Sequence, residues 1–226
     1  MVSELLGSFG DNELSPECID GAQKLIKKGG ISIPHKYSAY VAPISSTSLY
    51  SNAVAFGESK MMETPFVVKF RDAFVFDDPQ KMWEFHHPNE EPMHPIGHPD
   101  FNSHNSRFSK ASFIVQDDIM MVHFISVFLI LQHGMAAYFD SQLYKDISIS
   151  IHPDTHSKDM TSWFPMYFPI KQPLFLVKGS KLNLYIWRLT TTRKVWYEWA
   201  YSFTMNEIEV MSEISNKNGD SYWIGL

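Results

Sequence analysis

The fold class follows from one segment, KVWYEWAYSF at residues 194–203. Its large apolar and aromatic side chains recur at a period of two, which is typical of a β-strand. Residues 147–151 and 182–187 alternate in the same way, and further strands are predicted at residues 36–42, 65–71, 111–115 and 173–177. So many short strands, separated by prolines and glycines, predict a mainly β protein folded as an antiparallel β-barrel or β-sandwich.

Upstream of these strands the sequence predicts one clear helix. Ser15 is a favourable N-cap, Pro16 suits the first helical position, and Gly29-Gly30 ends the pattern. The apolar residues at helical spacing predict one buried face, formed by Cys18, Ile19, Ala22, Leu25 and Ile26. We therefore divide the chain into a short helical part, residues 1–30, and an all-β domain, residues 31–226.

Composition and charge exclude several classes of protein. The net charge of −6 argues against a nucleic-acid-binding protein, which normally carries a basic surface. A single cysteine excludes an internal disulfide framework and indicates a reducing compartment. The longest apolar run, residues 119–131, is too short to span a bilayer. These features predict a soluble, intracellular protein with neither a nucleic acid nor a membrane as its partner.

Two glutamates near the start of the chain are candidates for binding a cation. Glu4 and Glu13 flank a loop whose glycines, Gly7 and Gly10, allow it to fold back tightly. Two converging carboxylates repel each other unless a cation lies between them, and a planar guanidinium can donate paired hydrogen bonds to both. The alternative is a pair of solvated loop glutamates.

Three other features leave alternatives open. The indole of Trp163, between two predicted strands, could stack on a cation or simply fill the core. Cys18 is either a buried, inert thiol or, if exposed, a reactive one near a helix N-terminus. A histidine-rich segment reads either as a solvated, proline-rich loop or as a metal site, with the candidate ligands His86, His87, His94, His98, His104 and Asp100. We favour the loop and predict no metal.

The loop and several later motifs resemble one known family, the type II protein arginine methyltransferases, which dimethylate arginine symmetrically. The loop at residues 3–14, SELLGSFGDNEL, is similar to the double-glutamate loop of that family. The resemblance continues almost to the end of the chain, through YKDI at 144–147, PDTHS at 153–157, SWFP at 162–165, FPIKQP at 168–173, KVWYEW at 194–199 and SYWIGL at 221–226.

This resemblance implies a role for each site residue. Glu4 and Glu13 would grip the substrate guanidinium and orient one nitrogen toward the sulfonium methyl of S-adenosylmethionine. Trp163 would cover the guanidinium beside Ser162, and Leu6 and Phe164 would contact the substrate backbone. Residues 1–30 would then be the end of a Rossmann-like catalytic domain.

The resemblance also implies partners and a location. The substrates would be arginine- and glycine-rich proteins such as histones and splicing proteins, in the cytoplasm and nucleus. The full-length protein would be a homo-oligomer that binds a WD-repeat adaptor.

Three departures from the family qualify these expectations. The cofactor-binding half and the adaptor-binding barrel would precede Glu4, so we expect this chain alone to be inactive. Residues 94–110 form a longer loop than the family pattern has. Residues 122–132 interrupt a strand just before His133, and we hypothesise that they derive from a retained intron.

Two alternatives to the enzyme remain. One is a non-catalytic β-barrel module for protein interaction or oligomerisation. The other is a ligand-binding β-sandwich, which would explain the aromatic content but not the combination of Glu4, Glu13 and Trp163.

Overall fold

The computed structural model describes residues 1–55, 59–89, 104–115, 129–205 and 207–226. The two α-helices in this part are α1 (Ser15–Gln23) and α2 (Thr47–Ala55). Short 3-10 helices cover Ser59–Glu63, Pro153–Thr155 and Lys217–Gly219. The strands are β1 (Lys36–Ser45), β2 (Phe66–Val67), β3 (Phe74–Val75), β4 (Gln80–His86), β5 (Arg107–Ile114), β6 (Leu129–Tyr144), β7 (Ile147–Ser150), β8 (Met166–Val177), β9 (Lys181–Thr190), β10 (Lys194–Met205), β11 (Ile208–Met211) and β12 (Ile224–Gly225).

The strands form two antiparallel sheets, which confirms the predicted fold class. In the first sheet the order is β2-β8-β6-β1-β3, with β4 also paired to β1 and β7 to β6. In the second the order is β11-β10-β9-β5, with β12 also paired to β10. Neither sheet closes on itself, so of the two predicted forms the structure is a sandwich rather than a barrel.

The hydrophobic core lies between the two sheets. Phe168 of β8 and Trp199 of β10 are fully buried, and their ring centroids are 5.2 Å apart. The indole Nε1 of Trp199 also donates a hydrogen bond of 2.7 Å to the carbonyl of Pro169. Trp199, one of the aromatic residues in the predicted alternating pattern, therefore joins the two sheets as well as forming part of one.

Some strands were missed or misjudged from the sequence. The long central strand β6 was missed because both of its faces are buried, as Met135, Ala136 and Phe139 show, so that no apolar–polar alternation marks it. Strand β4 and helix α2 were missed as well. Ile147 is 58% exposed, so the half-buried strand predicted at 147–151 buries its apolar face only toward Ile151.

Helix α1 exists, but its ends and buried face differ from the prediction. Leu14 occupies the N-cap with a left-handed backbone (φ 65°), and Ser15 is the first helical residue instead. The helix ends at Gln23, well before Gly29. Its buried residues are Ser15, Pro16, Ile19 and Asp20, whereas Cys18 is exposed and Leu25 is 81% exposed. This face combines the buried Ile19 with polar contacts to the β domain, from Glu17 to Arg188 and from Asp20 to His87.

Two predictions concern residues that are partly or wholly outside the described ranges. Of the segment 122–132, residues 122–128 lie outside them, and Leu129–Gln132 begin β6 and pair with β8. The intron hypothesis stays a prediction, checked by a transcript read across this junction. Most of the loop at 94–110 also lies outside. No helix in the described part of the chain is both long and apolar enough to cross a bilayer.

Candidate functional site

The loop that carries the two glutamates folds back on itself as the glycines predicted. Gly7 and Gly10 form an isolated antiparallel bridge, with Gly10 N donating to Gly7 O at 2.8 Å. Gly10 has a φ of 81°, in the left-handed region that favours glycine. The side chain of Asn12 closes the turn by accepting a hydrogen bond of 2.6 Å from Phe9 N.

This loop is anchored in the core of the β domain. The ring of Phe9 is fully buried and makes edge contacts with Trp83, Phe168 and Tyr197, at centroid distances of 5.4–5.6 Å. Asp11, also buried, accepts hydrogen bonds from the indole of Trp83 and the hydroxyl of Tyr197. The tip of the loop is therefore fixed by strands from both sheets, β4, β8 and β10.

Glu4 and Glu13 are both exposed and are close enough to interact electrostatically. Partial desolvation raises the pKa of Glu13, and the negative charge of Glu4 raises it further. Like charges that interact in this way favour the binding of a shared cation. The repulsion between them is the property expected of a site for a positively charged side chain.

Trp163 lies over the same loop. Its Nε1 donates a hydrogen bond of 2.5 Å to the carbonyl of Leu6, and its ring contacts Phe139 edge-on. Trp163 has a left-handed backbone with φ of 59°, which a non-glycine residue adopts only where the surroundings impose it. The indole is half-buried, so one part of it packs and the other stays accessible.

The remaining candidate residues differ in exposure. Ser162 is exposed, and Phe164 is 41% exposed with the Lys69 ammonium 5.7 Å from its ring centroid. Leu6 is only 4% exposed, so its side chain belongs to the core. Any contact of Leu6 with a substrate would therefore have to be made by its backbone.

A tyrosine from the C-terminal segment lies near Glu13 and was not singled out as a site residue from the sequence. Burial raises the pKa of Tyr222, and the charge of Glu13 raises it further. Asn216 fixes this segment: its Oδ1 accepts from Ser221 N and Tyr222 N, both at 3.0 Å. The SYWIGL motif signalled a resemblance here, but only the fold shows that it reaches the glutamate pair.

The candidate histidines in the described part of the chain each lie beside a carboxylate. His94, His98 and Asp100 lie outside the described residues. His87 and His104 are buried with nitrogens 3.4 Å from the carboxylate of Asp20, whereas His86 is exposed and lies 2.6 Å from Glu84. Among the described residues, no group of three or more suitable side chains could hold a metal ion.

Cys18 does not have the properties of an activated thiol. Its partial desolvation and the charge of Glu17 both raise the pKa of the thiol. This corrects both alternatives from the sequence, since the residue is exposed but is not made acidic by the helix N-terminus.

The described residues do not fit a nucleotide-sized cofactor such as S-adenosylmethionine. Apart from an isolated parallel bridge between Val2 and Ile33, their strand pairs are all antiparallel, whereas such cofactors usually bind at a turn between a parallel strand and a helix. The first turn of α1 is not open to a ligand, because Ser15 and Pro16 are buried and Glu17 is bound by Arg188.

Comparison with known proteins gives consistent matches along the chain. The family model described as the PRMT5 oligomerisation domain matches residues 36–224, and that described as PRMT5 arginine-N-methyltransferase matches residues 1–33. Protein arginine N-methyltransferase 5 of Xenopus laevis is 42% identical over 231 residues, and the match covers 100% of this chain and 32% of that protein. The corresponding protein of Oryza sativa subsp. indica is 39% identical, with 100% and 31% covered.

Solved structures agree on the fold. Protein arginine methyltransferase 10 of Arabidopsis thaliana has a TM-score of 0.65 at 15% identity, with 98% of this chain and 69% of that one covered. The PRMT1 enzyme-prozyme complex of Trypanosoma brucei has a TM-score of 0.64 at 12% identity, with 93% and 66% covered. At these identities the likeness concerns the fold alone.

The family is shown by sequence. The chain spans about a third of the length of the curated relatives that it matches, and the oligomerisation-domain match takes up most of the chain. The chain belongs to the PRMT5 family of protein arginine N-methyltransferases.

Proposed function

We propose that this chain is the C-terminal part of a protein arginine N-methyltransferase and that it supplies the grip on the substrate arginine. The observation that carries the proposal is the electrostatic interaction of Glu4 with Glu13 on a loop anchored to the β domain. Trp163, hydrogen-bonded to the same loop, is placed to cover a planar cation.

The chemistry follows from charge and shape. A guanidinium between Glu4 and Glu13 relieves their repulsion and can donate two hydrogen bonds to each carboxylate. Holding the cation in one orientation presents a single nitrogen for reaction, and positioning of this kind accounts for much of the rate of group transfer. Ser162 and Phe164 are exposed beside the indole and would contact the flanking substrate chain.

S-adenosylmethionine, the methyl donor of the family, would be bound by a part of the full-length protein outside this chain. The complex of the Trypanosoma brucei relative contains AdoHcy, which is the demethylated form of that donor. We further propose a symmetric dimethylarginine product, arginine- and glycine-rich substrates such as histones and splicing proteins, and a cytoplasmic and nuclear location. A WD-repeat adaptor would bind elsewhere in the full-length protein.

A second role, self-association through the β domain, is supported by a separate observation. The model that matches residues 36–224 is that of the PRMT5 oligomerisation domain. We therefore propose residues 1–30 as the end of the catalytic domain and residues 31–226 as the oligomerisation and substrate-docking domain. This role requires neither Glu4 nor Glu13.

The enzymatic role is tested with a chimera in which residues 1–226 replace the matching C-terminal third of the Xenopus laevis relative. In this chimera Glu4→Gln and Glu13→Gln should each lower kcat on the order of a hundredfold or more, because the cation loses its orientation. Glu213→Gln, a matched change at an exposed glutamate, should leave methylation of an arginine-rich peptide unchanged. Full activity of both site variants would contradict the proposal.

A further inference from the structure

Arg188 contacts the glutamate loop at Asp11 and the following helix α1 at Glu17. We propose that Arg188 is a positioning residue: acting through Asp11 and Glu17, it sets where Glu13 stands relative to Glu4. The inference rests on the proposed function of the glutamate pair, and it adds a residue that no motif or comparison assigns to the site.

The guanidinium of Arg188, on β9, is fully buried, and both of its terminal nitrogens donate hydrogen bonds. Nη1 and Nη2 donate to the two carboxylate oxygens of Glu17, each at 2.8 Å. Nη2 also donates to the carbonyl of Asp11 at 3.3 Å, and Nε lies 3.4 Å from the Asp11 carboxylate. A second carbonyl, that of Asn105, accepts from Nη1 at 2.9 Å.

The two acidic partners of Arg188 flank Glu13 in the chain. Asp11 precedes it in the loop, and Glu17 follows it in the first turn of α1. One cation therefore binds residues on both sides of Glu13, through the backbone carbonyl of Asp11 and the side-chain carboxylate of Glu17. The hydroxyl of Tyr197 and the indole of Trp83 also donate to the Asp11 carboxylate, so these two side chains belong to the same network as Arg188.

Glu4 is held by different contacts. Its neighbour Ser3 donates a backbone hydrogen bond of 2.9 Å to Ile33, and Val2 forms a parallel bridge with Ile33. Nothing in these contacts involves Arg188. Loosening the Arg188 network should therefore move Glu13 with respect to Glu4 and leave Glu4 in place.

Burial makes the network sensitive to small changes. Burial raises the pKa of Asp11, while the charge of Arg188 and the hydrogen bonds from Tyr197 and Trp83 oppose that shift. A buried carboxylate that loses the cation is left with an uncompensated charge, and one that loses a hydrogen-bond donor is left with an unsatisfied acceptor. Lysine keeps the positive charge of Arg188 but cannot reproduce its planar, bidentate hydrogen bonding.

The test measures the interaction of Glu4 with Glu13 directly, by carbon-detected NMR titration of the Glu13 carboxylate in the 226-residue chain. In the unmodified chain, Glu4→Gln should lower the pKa of Glu13, because it removes a like charge. In the Arg188→Lys or Tyr197→Phe background the same substitution should no longer shift it. Tyr167→Phe is the matched control, since Tyr167 is also fully buried and its hydroxyl bonds to His133 O, outside the network.

The outcomes separate positioning from simple stabilisation. If Tyr197→Phe lowers the melting temperature but Glu4→Gln still shifts the Glu13 pKa as in the unmodified chain, Arg188 and its partners only stabilise the fold and the proposal is wrong. If the Arg188→Lys variant does not fold, the same titration in the Tyr197→Phe variant, which lacks only one hydroxyl, still tests the proposal. The proposal would also be wrong if Glu4→Gln did not shift the pKa of Glu13 in the otherwise unmodified chain.

A second readout separates this inference from the proposed function. In the Xenopus laevis chimera, Tyr197→Phe should lower kcat by on the order of tenfold with little change in KM, because the cation is still bound but misoriented. If the titration result holds while Glu4→Gln and Glu13→Gln leave methylation intact, Arg188 still positions Glu13, and it is the proposed function that fails.

Discussion

At the scale of single residues, Gly7 shows how little space the glutamate loop leaves. A Cβ on Gly7 would lie 2.3 Å from Oδ1 and 2.5 Å from Cγ of Asn12. The Asn12 amide cannot move aside freely, because its Oδ1 accepts the hydrogen bond from Phe9 N that closes the turn. The tight fold of the loop therefore depends on the missing side chain.

Gly7→Ala should accordingly destabilise the chain by about 1–3 kcal/mol, the usual cost of overpacking. Gly21→Ala is the matched control, because a Cβ there meets nothing within 4 Å and the residue lies inside α1. In a helix this second change should stabilise by about 0.5–1 kcal/mol. Urea denaturation of both variants checks the pair, and equal stability of Gly7→Ala and the unmodified chain would count against the described loop.

At the scale of elements, β1 and β4 are joined by one carboxylate. Burial by itself would raise the pKa of Glu84, but hydrogen bonds from Lys81 and from Ser38 lower that pKa to about 2. Lys81 Nζ lies 2.5 Å and Ser38 Oγ 2.8 Å from Glu84 Oε2. Lys36, on β1, lies 3.6 Å from the same oxygen. The folded state therefore stabilises the charged form of the Glu84 carboxylate.

A lowered folded-state pKa fixes the sign of the pH dependence. The stability contributed by Glu84 is present above the unfolded pKa of 4.5 and is lost as the pH falls toward about 2. Glu84→Gln should therefore lower the melting temperature clearly at pH 7 and much less at pH 2, where about half of the Glu84 side chains are already protonated in the folded state. Glu213→Gln serves as the exposed control and should change neither value. A difference between Glu84→Gln and the unmodified chain that persists unchanged at pH 2 would contradict this account.

The elements also show which parts of the fold the sequence could predict. Strands β9 and β10 were found because their alternation is local, and the folding back of the glutamate loop because Gly7 and Gly10 permit it. Strand β6 was missed because burial of both faces removes the alternation. The N-cap of α1 was misplaced because Leu14 adopts a left-handed backbone that no local preference for leucine predicts.

The site was only partly predictable for a related reason. Glu4, Glu13 and Trp163 were predicted as candidates from their motifs, each of which is a short run of neighbouring residues. Arg188 and Asp11 are 177 positions apart, and their contact is created by the packing of β9 against the loop. A buried ion pair between distant residues leaves no spacing in the sequence, so only the structure reveals it.

At the scale of the whole molecule, the residues before the β domain complete its core. Phe9 fills a space between aromatic rings of both sheets, and Asp11 and Glu17 neutralise the buried Arg188. In a chain of residues 31–226 alone, the guanidinium of Arg188 would be left in the interior without its acidic partners. Removing one partner of a buried ion pair typically costs about 3–5 kcal/mol, and the lost Phe9 side chain adds a cavity.

We therefore expect residues 31–226 to be several kcal/mol less stable than the complete chain in chemical denaturation, on the order of the ion-pair cost just given. Arg188→Leu is the control, and we expect it to change the free energy of unfolding in opposite directions in the two chains. In residues 31–226 it should restore part of the stability, because it removes the uncompensated charge. In the complete chain it should destabilise, because it leaves Asp11 and Glu17 unpaired. If Arg188→Leu destabilised both chains equally, the charge of Arg188 would not be what joins the two parts, and the division near residue 30 would separate independently stable units.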